Sequence, residues 1–447
     1  MHTSEATAAQ IIFGWDPLWV SSILFVATYA VIVSEKVNRA IVSLLGAGLM
    51  IMLGVLNQET AISGIDFNTL GLLIGMMVIV AITKRSGVFQ FVAVWSAKKV
   101  KASPWGILLM LSLVTAVFSA LLDNVTTVLL IAPVTLLICH ELDITPYPFL
   151  FAEIFSSNIG GTATLIGDPP NIMIGSAVGL TFNDFLFNLA PVVPVILLVT
   201  LGIIYVAWGR KLQATDAARS HIMQFREGDA ITDTSLLKQS LFVLFLVICG
   251  FVMARPLHLE PATVAMFGAA LLLLMSNFRN NAEKQSENVH QIFGKVEWVT
   301  IFFFVGLFIA VKGIEEAGLL EILADQALNL TGGDMTLTAM TILWVSAIAS
   351  ALVDNIPFVA TMIPLIKSMA PTFGGAGNLE PLWWSLALGA CLGGNGSLVG
   401  ASANLIVAGF AERSGHRIRF LPFMAAAFPL MILSIIISSA YIYLRYL

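Results

Sequence analysis

Charge is scarce in this sequence. Lys, Arg, Asp and Glu make up 11% of the 447 residues, against about 25% in a soluble globular domain. With 58% hydrophobic residues and a mean hydropathy of +0.92, too little polar surface remains to face water, which excludes a soluble enzyme. The net charge of −5 is small and dispersed, so no basic face for nucleic acid is expected. Cysteine is nearly absent: Cys139, Cys249 and Cys391 lie in or beside apolar runs without paired spacing, giving neither a disulfide framework nor a metal site. Residues 1–17 contain no Lys or Arg, so the pattern is not that of a cleavable signal. No Ser-His pair, His-Glu-x-x-His motif or facing catalytic Asp pair is evident, and nothing calls for a cofactor.

What is present is a series of long apolar runs. A crossing needs about 20 apolar residues, and runs near 18–34, 40–56, 67–83, 146–180, 185–208, 238–254, 259–278, 297–312, 381–412 and 420–446 qualify. The 146–180 and 381–412 runs are too long, and too rich in Gly, Asn and Pro, to be continuous helices. Two further runs, 104–138 and 337–370, break at Asp123-Asn124 and at Asp354-Asn355-Ile356-Pro357. After the first break 128–138 reaches only about 16 Å as a helix, half of the roughly 30 Å hydrocarbon core. Both runs therefore read as re-entrant hairpins, which enter and leave by one face. With that parity, eighteen of the 22 basic residues fall on one side, Arg39, Lys98 and Arg219 among them. Positively charged loops stay cytoplasmic, so both termini are expected outside a plasma (inner) membrane. Trp105, Trp383 and Trp384 fit interfacial belts.

The two halves repeat each other. Ser119 to Val125 (SALLDNV) matches Ser350 to Ile356 (SALVDNI) 231 residues later, and Thr69, Gly75 and Gly87 match Thr300, Gly306 and Gly318 at the same offset. GGTATLIG from Gly160 matches GGNGSLVG from Gly393, and Asn171 matches Asn404, at an offset of 233. The parity gives the copies opposite directions, an inverted-topology repeat whose broken helices meet near the midplane to build a site. The expected organisation is a first repeat over 1–209, a linker over 210–237 without a folded domain, and a second repeat over 238–447. The fold class is an all-α polytopic membrane protein with about ten transmembrane helices, two re-entrant hairpins and two broken helices.

Carboxylates at membrane depth are costly and mark function by default. Asp123 and Asp354, at the hairpin tips, are candidates for carrying a proton or ligating sodium. The competing role is to cap the next half-helix, a role open equally to Asn124 and Asn355. The interruptions at Gly160-Gly161-Thr162-Ala163-Thr164 and Gly393-Gly394-Asn395-Gly396-Ser397 can unwind and expose backbone donors. Thr126, Thr127, Gly161, Thr162, Thr164, Asn171, Asn395, Ser397, Ser402 and Asn404 add neutral hydrogen-bonding groups. Asp168, in Asp168-Pro169-Pro170-Asn171, has no acidic counterpart in the second half and is a third candidate for proton coupling, or a cap. Cys391 reads as a small buried hydrophobe.

The stretches Leu121 to Leu130 (LLDNVTTVLL) and Asn158 to Asn171 (NIGGTATLIGDPPN) resemble the ArsB/NhaD branch of the ion-transporter superfamily, nearest the melanosomal P protein subgroup. The resemblance implies two inverted repeats working by an elevator-like motion, with ion or oxyanion movement coupled to protons or sodium. It favours proton-coupled efflux of arsenite or antimonite: arsenite is an uncharged trihydroxide at neutral pH, suited to neutral Thr, Ser, Asn and backbone groups. A sodium/proton antiporter, with sodium at Asp123 and Asp354, is the alternative. A dicarboxylate or other anion carrier is third, because related dicarboxylate carriers have Ser-Asn-Thr tips and an acidic tip repels a dianion. A homodimer and an ATPase subunit are both compatible with the sequence.

Overall fold

The computed structural model describes residues 14–447 apart from Glu35, and every regular element among them is helical. Local chemistry fixes many helix starts. Asp16, Asn38, Asn57 and Asp66 each accept a hydrogen bond from the first turn of the following helix. Pro17, Pro104 and Pro261 occupy first helical positions, where the missing N–H costs nothing. Among the described residues seven helices are long and apolar enough to cross a membrane, eight if Phe182–Asn188 and Val193–Ala207, bent by 54°, count as one span. Pro17–Val33, Arg39–Met52 and Pro261–Asn277 are shorter apolar helices.

The first hairpin consists of Pro104–Leu121 and Asn124–Glu141. Its two ends meet one linker helix, Asp216–Gln224: Arg219 Nη2 donates to the Lys101 carbonyl (3.2 Å), and His221 lies 3.1 Å from Glu141. Entry and exit therefore share the linker face. The second hairpin, Met335–Leu352 and Asn355–Ser368, opens to the other face. There Lys367 lines a pocket with Asp66 at the start of Phe67–Lys84, a helix whose far end meets the linker through Thr232 and the Arg85 and Ser86 carbonyls. Phe67–Lys84 thus runs toward the linker face. Trp298–Glu316 runs away from it, since Arg85 bonds Gln291 just before its start and Lys312 near its end lines the same pocket as Asp66.

The limb after Asp123 is longer than its apolar run suggested. Asn124–Glu141 has 18 residues, about 27 Å of helix. The Asp123 cap starts it earlier than the apolar run does, and the helix continues through Pro133. The linker holds one short helix, Asp216–Gln224, and docks on the elements that precede it. Lys98 Nζ donates to the Phe225 carbonyl and to Glu227, and a Cβ at Gly87 would lie 1.8 Å from the Ala230 carbonyl. Gly87 has φ +82 and its counterpart Gly318 φ +83, so both copies use glycine for the same left-handed turn. Trp383 and Trp384 are not interfacial: both are buried, and Trp384 Nε1 donates to Glu380 and packs edge-on against Phe185.

Each half lends helices to the other. Phe67–Lys84 packs on Pro261–Asn277, and Trp298–Glu316 packs on Arg39–Met52. Glycine permits both approaches: a Cβ at Gly75 would meet the Ala265 backbone at 2.7 Å, and one at Gly306 the Ser43 backbone at 2.4 Å. The result is two exchanged helix pairs (the outer helices) packed beside a unit of hairpins and broken helices (the inner unit).

Candidate functional site

The broken helices are Tyr147–Gly161 followed by Pro169–Val178, and Glu380–Gly393 followed by Ser402–Arg413. Each interruption is held by the asparagine beyond it. Asn171 Nδ2 donates to the carbonyls of Gly161, Thr162 and Thr164, at 2.9 to 3.4 Å. Asn404 Nδ2 donates to those of Gly394 (2.7 Å) and Ser397 (2.8 Å). Buried carbonyls freed by unwinding must find donors, and an amide supplies them without bringing charge. The neighbouring hydroxyls serve the same scaffold: Thr162 donates to the Asn158 carbonyl and Thr164 to that of Ala120. Ser397 Oγ accepts from the Val399 N–H. Gly160 and Gly393 admit the hairpins, since a Cβ there would lie 2.2 Å from the Ala116 carbonyl and 2.5 Å from that of Ala347.

Both tip aspartates cap. Asp123 Oδ1 accepts from the Thr126 N–H (2.6 Å) and its other oxygen from the Thr126 hydroxyl; Asp354 Oδ1 accepts from the Ile356 N–H (3.1 Å). Beyond the cap they differ. Asp354 Oδ2 is 2.9 Å from Arg39 Nη1 and accepts from Ser402 Oγ (2.9 Å). Arg39 also donates to Ser402 (2.7 Å) and Thr300 (3.2 Å), and lies 5.0 Å over the Phe303 ring. Arg39 and Thr300 stand at the linker-side starts of outer helices, so the second tip is tied to those helices through Asp354 while its Asn355 reaches Asp168. Beside it opens a pocket of about 410 Å³ lined by Arg39, Thr300, Asp354, Ser402 and also Val125 of the first tip.

The centre is an amide cluster that joins the halves. Asn158 Nδ2 donates to Asn395 Oδ1 (3.0 Å) and Asn404 Oδ1 (2.9 Å), while its Oδ1 accepts from Asn124 Nδ2 (3.2 Å). Cys391 stands in the repeat position of Asn158 and donates its thiol to Asn171 Oδ1 (3.4 Å). Asp168 is buried, makes no cap bond with the helix it precedes, and accepts from Asn355 Nδ2 at 3.5 Å. Three atoms of this cluster are buried without a protein partner, Asn124 Oδ1, Asp168 Oδ2 and Asn395 Nδ2, as is Thr127 Oγ1, about one turn beyond Asn124 on the same helix. Buried polar groups are normally satisfied, so the cluster has the capacity to hold a small polar solute or ion. Among the described residues no group of three His, Cys, Asp or Glu gathers for a metal.

The structure thus brings Asn124, Asp168, Asn355, Asn395 and Asn404 to one centre, with Asn171 bracing it and Thr127 about one turn beyond Asn124. Asp354 and Ser402 go to the pocket with Arg39, and Asp123 and Thr126 to a local cap. Sequence reasoning missed Asn158 and Arg39. Asn158 was visible at the head of its Gly-Gly-Thr segment; Arg39 looked like one more loop charge.

Comparison with known proteins agrees with this architecture. A family model described as citrate transporter (CitMHS) matches residues 29–389. An uncharacterized transporter of Mycobacterium tuberculosis is 43% identical over 431 residues, covering 96% of this chain and 98% of its own. The human P protein is 32% identical over 504 residues, covering 95% of this chain and 59% of its own. The crystal structure of the YdaH transporter of Alcanivorax borkumensis superposes with a TM-score of 0.56 at 13% identity, covering 96% of this chain and 99% of the other.

Proposed function

The chain belongs to the citrate transporter family of membrane carriers, and from that premise we propose a proton-coupled secondary carrier that exports a small uncharged hydroxylated solute, arsenite or antimonite, by an elevator-like motion. One observation carries the reading. The central cluster is built of amides and hydroxyls with a single carboxyl, Asp168, and the nearest guanidinium, Arg39, is engaged at the second tip. Neutral donors and acceptors match a neutral trihydroxide: Asn124 Oδ1 and Thr127 Oγ1 can accept from its hydroxyls, and Asn395 Nδ2 can donate. Asp168 is the group best placed to exchange a proton, because Asn355 and Asn124 reach its carboxyl and one of its oxygens has no hydrogen-bond partner. Asp123 and Asp354, already committed to caps, act by holding the tips. The Arg39–Asp354 pair joins an outer helix to the inner unit, and its breaking accompanies the inner unit's movement.

The sodium/proton alternative has support of its own. Asn124 Oδ1, Thr127 Oγ1 and Asp168 Oδ2 are three unpartnered oxygens, the donor type that hard cations take. A citrate-like anion, as the family's name states, would call on Arg39, half-buried in the linker-face pocket. The inner unit then works in a plasma membrane with the linker inside and both termini outside; a homodimer and an ATPase subunit are compatible additions. The test is proton flux in proteoliposomes, evoked in turn by arsenite, sodium and citrate. Arsenite-evoked flux that Asp168→Asn abolishes is the expected result. Flux evoked by sodium or citrate but not by arsenite overturns the arsenite reading in favour of that ion.

A further inference from the structure

Glu153 is the one other carboxyl placed deep inside the inner unit, and the mechanism above leaves it idle. It lies in the middle of Tyr147–Gly161, 1% exposed. Its Oε1 accepts from the Thr135 hydroxyl of the second hairpin limb, Asn124–Glu141, and its Oε2 is buried without a protein partner. No cation neutralises it, for none of the ion pairs among the described residues includes Glu153.

The repeat supplies an internal control. At the matched positions the second half has Ile366 for Thr135 and Leu386 for Glu153, both fully buried, with Pro364 matching Pro133. The equivalent positions therefore carry two buried apolar side chains in one copy and a hydroxyl and a carboxyl in the other. The fold does not need the acid. A carboxylate so enclosed must gain a proton or a cation, and the single hydroxyl beside it is too small a set to hold a metal ion.

We propose that Glu153 and Thr135 form a proton-binding site inside the first repeat, separate from the central amide cluster and lying behind the linker-face pocket lined by Pro133, Cys139 and His140. Proton release is the simple exchange of the carboxyl proton to water or to a pocket base, leaving the carboxylate hydrogen-bonded to Thr135. Cys139 is the titratable group that faces Glu153 from the Asn124–Glu141 limb. Pro104–Leu121 carries no ionisable residue; Val193–Ala207 carries Tyr205; Glu380–Gly393 carries Glu380, bonded to Trp384, and Cys391, bonded to Asn171. Ser402–Arg413 carries Glu412 and Arg413 at its far end, Glu412 paired with Arg417 and Arg413 bonding the Gly409 carbonyl. The proposal does not depend on which solute the carrier moves.

The test is infrared spectroscopy of the full chain in lipid nanodiscs at neutral pH, without solute. Glu153→Gln and Glu153→Leu, the latter installing the second repeat's own residue, are each expected to remove one protonated-carboxyl component that Asp168→Asn leaves in place. Titration of the purified protein should then count one fewer bound proton in both Glu153 variants. Spectra in which neither variant removes a protonated-carboxyl component overturn the proposal. That outcome leaves the solute-evoked flux assay, and the reading it tests, untouched.

Discussion

At the residue scale, unlike side chains occupy equivalent places. Asn158 pairs with Cys391, Asp168 with Ala401 and Glu153 with Leu386. The tip Asp-Asn pairs and the bracing asparagines are duplicated while these three positions are not, and the asymmetry adds acid to the first repeat. Asn158 is the most connected of these side chains. Asn158→Ala strips donors from Asn395 and Asn404 at once, and each buried group left unsatisfied costs about 1–3 kcal/mol. A marked fall in thermal unfolding temperature, read by detergent-solubilised melting, is the expected outcome; Asn158→Asp should fall further unless the pH is lowered. Arg39→Ala removes a partly exposed partner of Asp354, with side chains 27% and 14% exposed. The expected loss is modest, roughly 1 kcal/mol once solvent screening is allowed for. Double-mutant melting with Asp354→Asn should show the two effects to be coupled rather than additive. Little of this was legible beforehand, because Asn158 meets partners 237 and 246 residues away and no local pattern announces such a pairing.

At the element scale, the interruptions were legible and their neighbours were not. Gly-Gly beside Thr or Asn marks unwinding wherever it occurs in an apolar run, and the structure unwinds at both. The length of the Asn124–Glu141 limb was misjudged, because an apolar count ignores the polar first turn that Asp123 caps. Close backbone approach makes a further prediction. Gly306→Val forces a side chain into the Ser43 backbone, and overpacking of this kind costs typically 1–3 kcal/mol. Gly202→Val, where a Cβ meets nothing within 4 Å, is the control and should melt like the parent. The linker contact also responds to acid. Hydrogen bonding from Lys98 holds the Glu227 carboxyl below its usual range. Its contribution is thus present above the ordinary Glu value of about 4.3 and lost as pH falls through the lower folded value. Hydrogen-exchange protection across 216–230, taken against the intrinsic rate at each pH, should fall in that acid window and stay high at neutral pH; equal protection at both would remove the linkage.

At the scale of the whole molecule, the two halves are interleaved. Phe67–Lys84 rests on Pro261–Asn277, and Trp298–Glu316 on Arg39–Met52, so each half completes the burial of the other's outer helices. Chains 1–224 and 225–447, expressed singly, are expected to be degraded or aggregated. Co-expressed, they should recover a complex that purifies as one species; a stable, monodisperse single half would contradict the exchange. Hydropathy and the interruptions by Gly, Asn and Pro act over a few residues, and so the sequence by itself determined a membrane-embedded helical chain, its two copies and the places where each copy breaks. Which polar groups meet was decided only in three dimensions. Those contacts join residues some 190 to 250 positions apart, across helices whose facing sides depend on packing rather than on any period in the chain. The same holds for Arg39: as a letter it is a loop charge, and only the approach of the second tip makes it the partner of an aspartate.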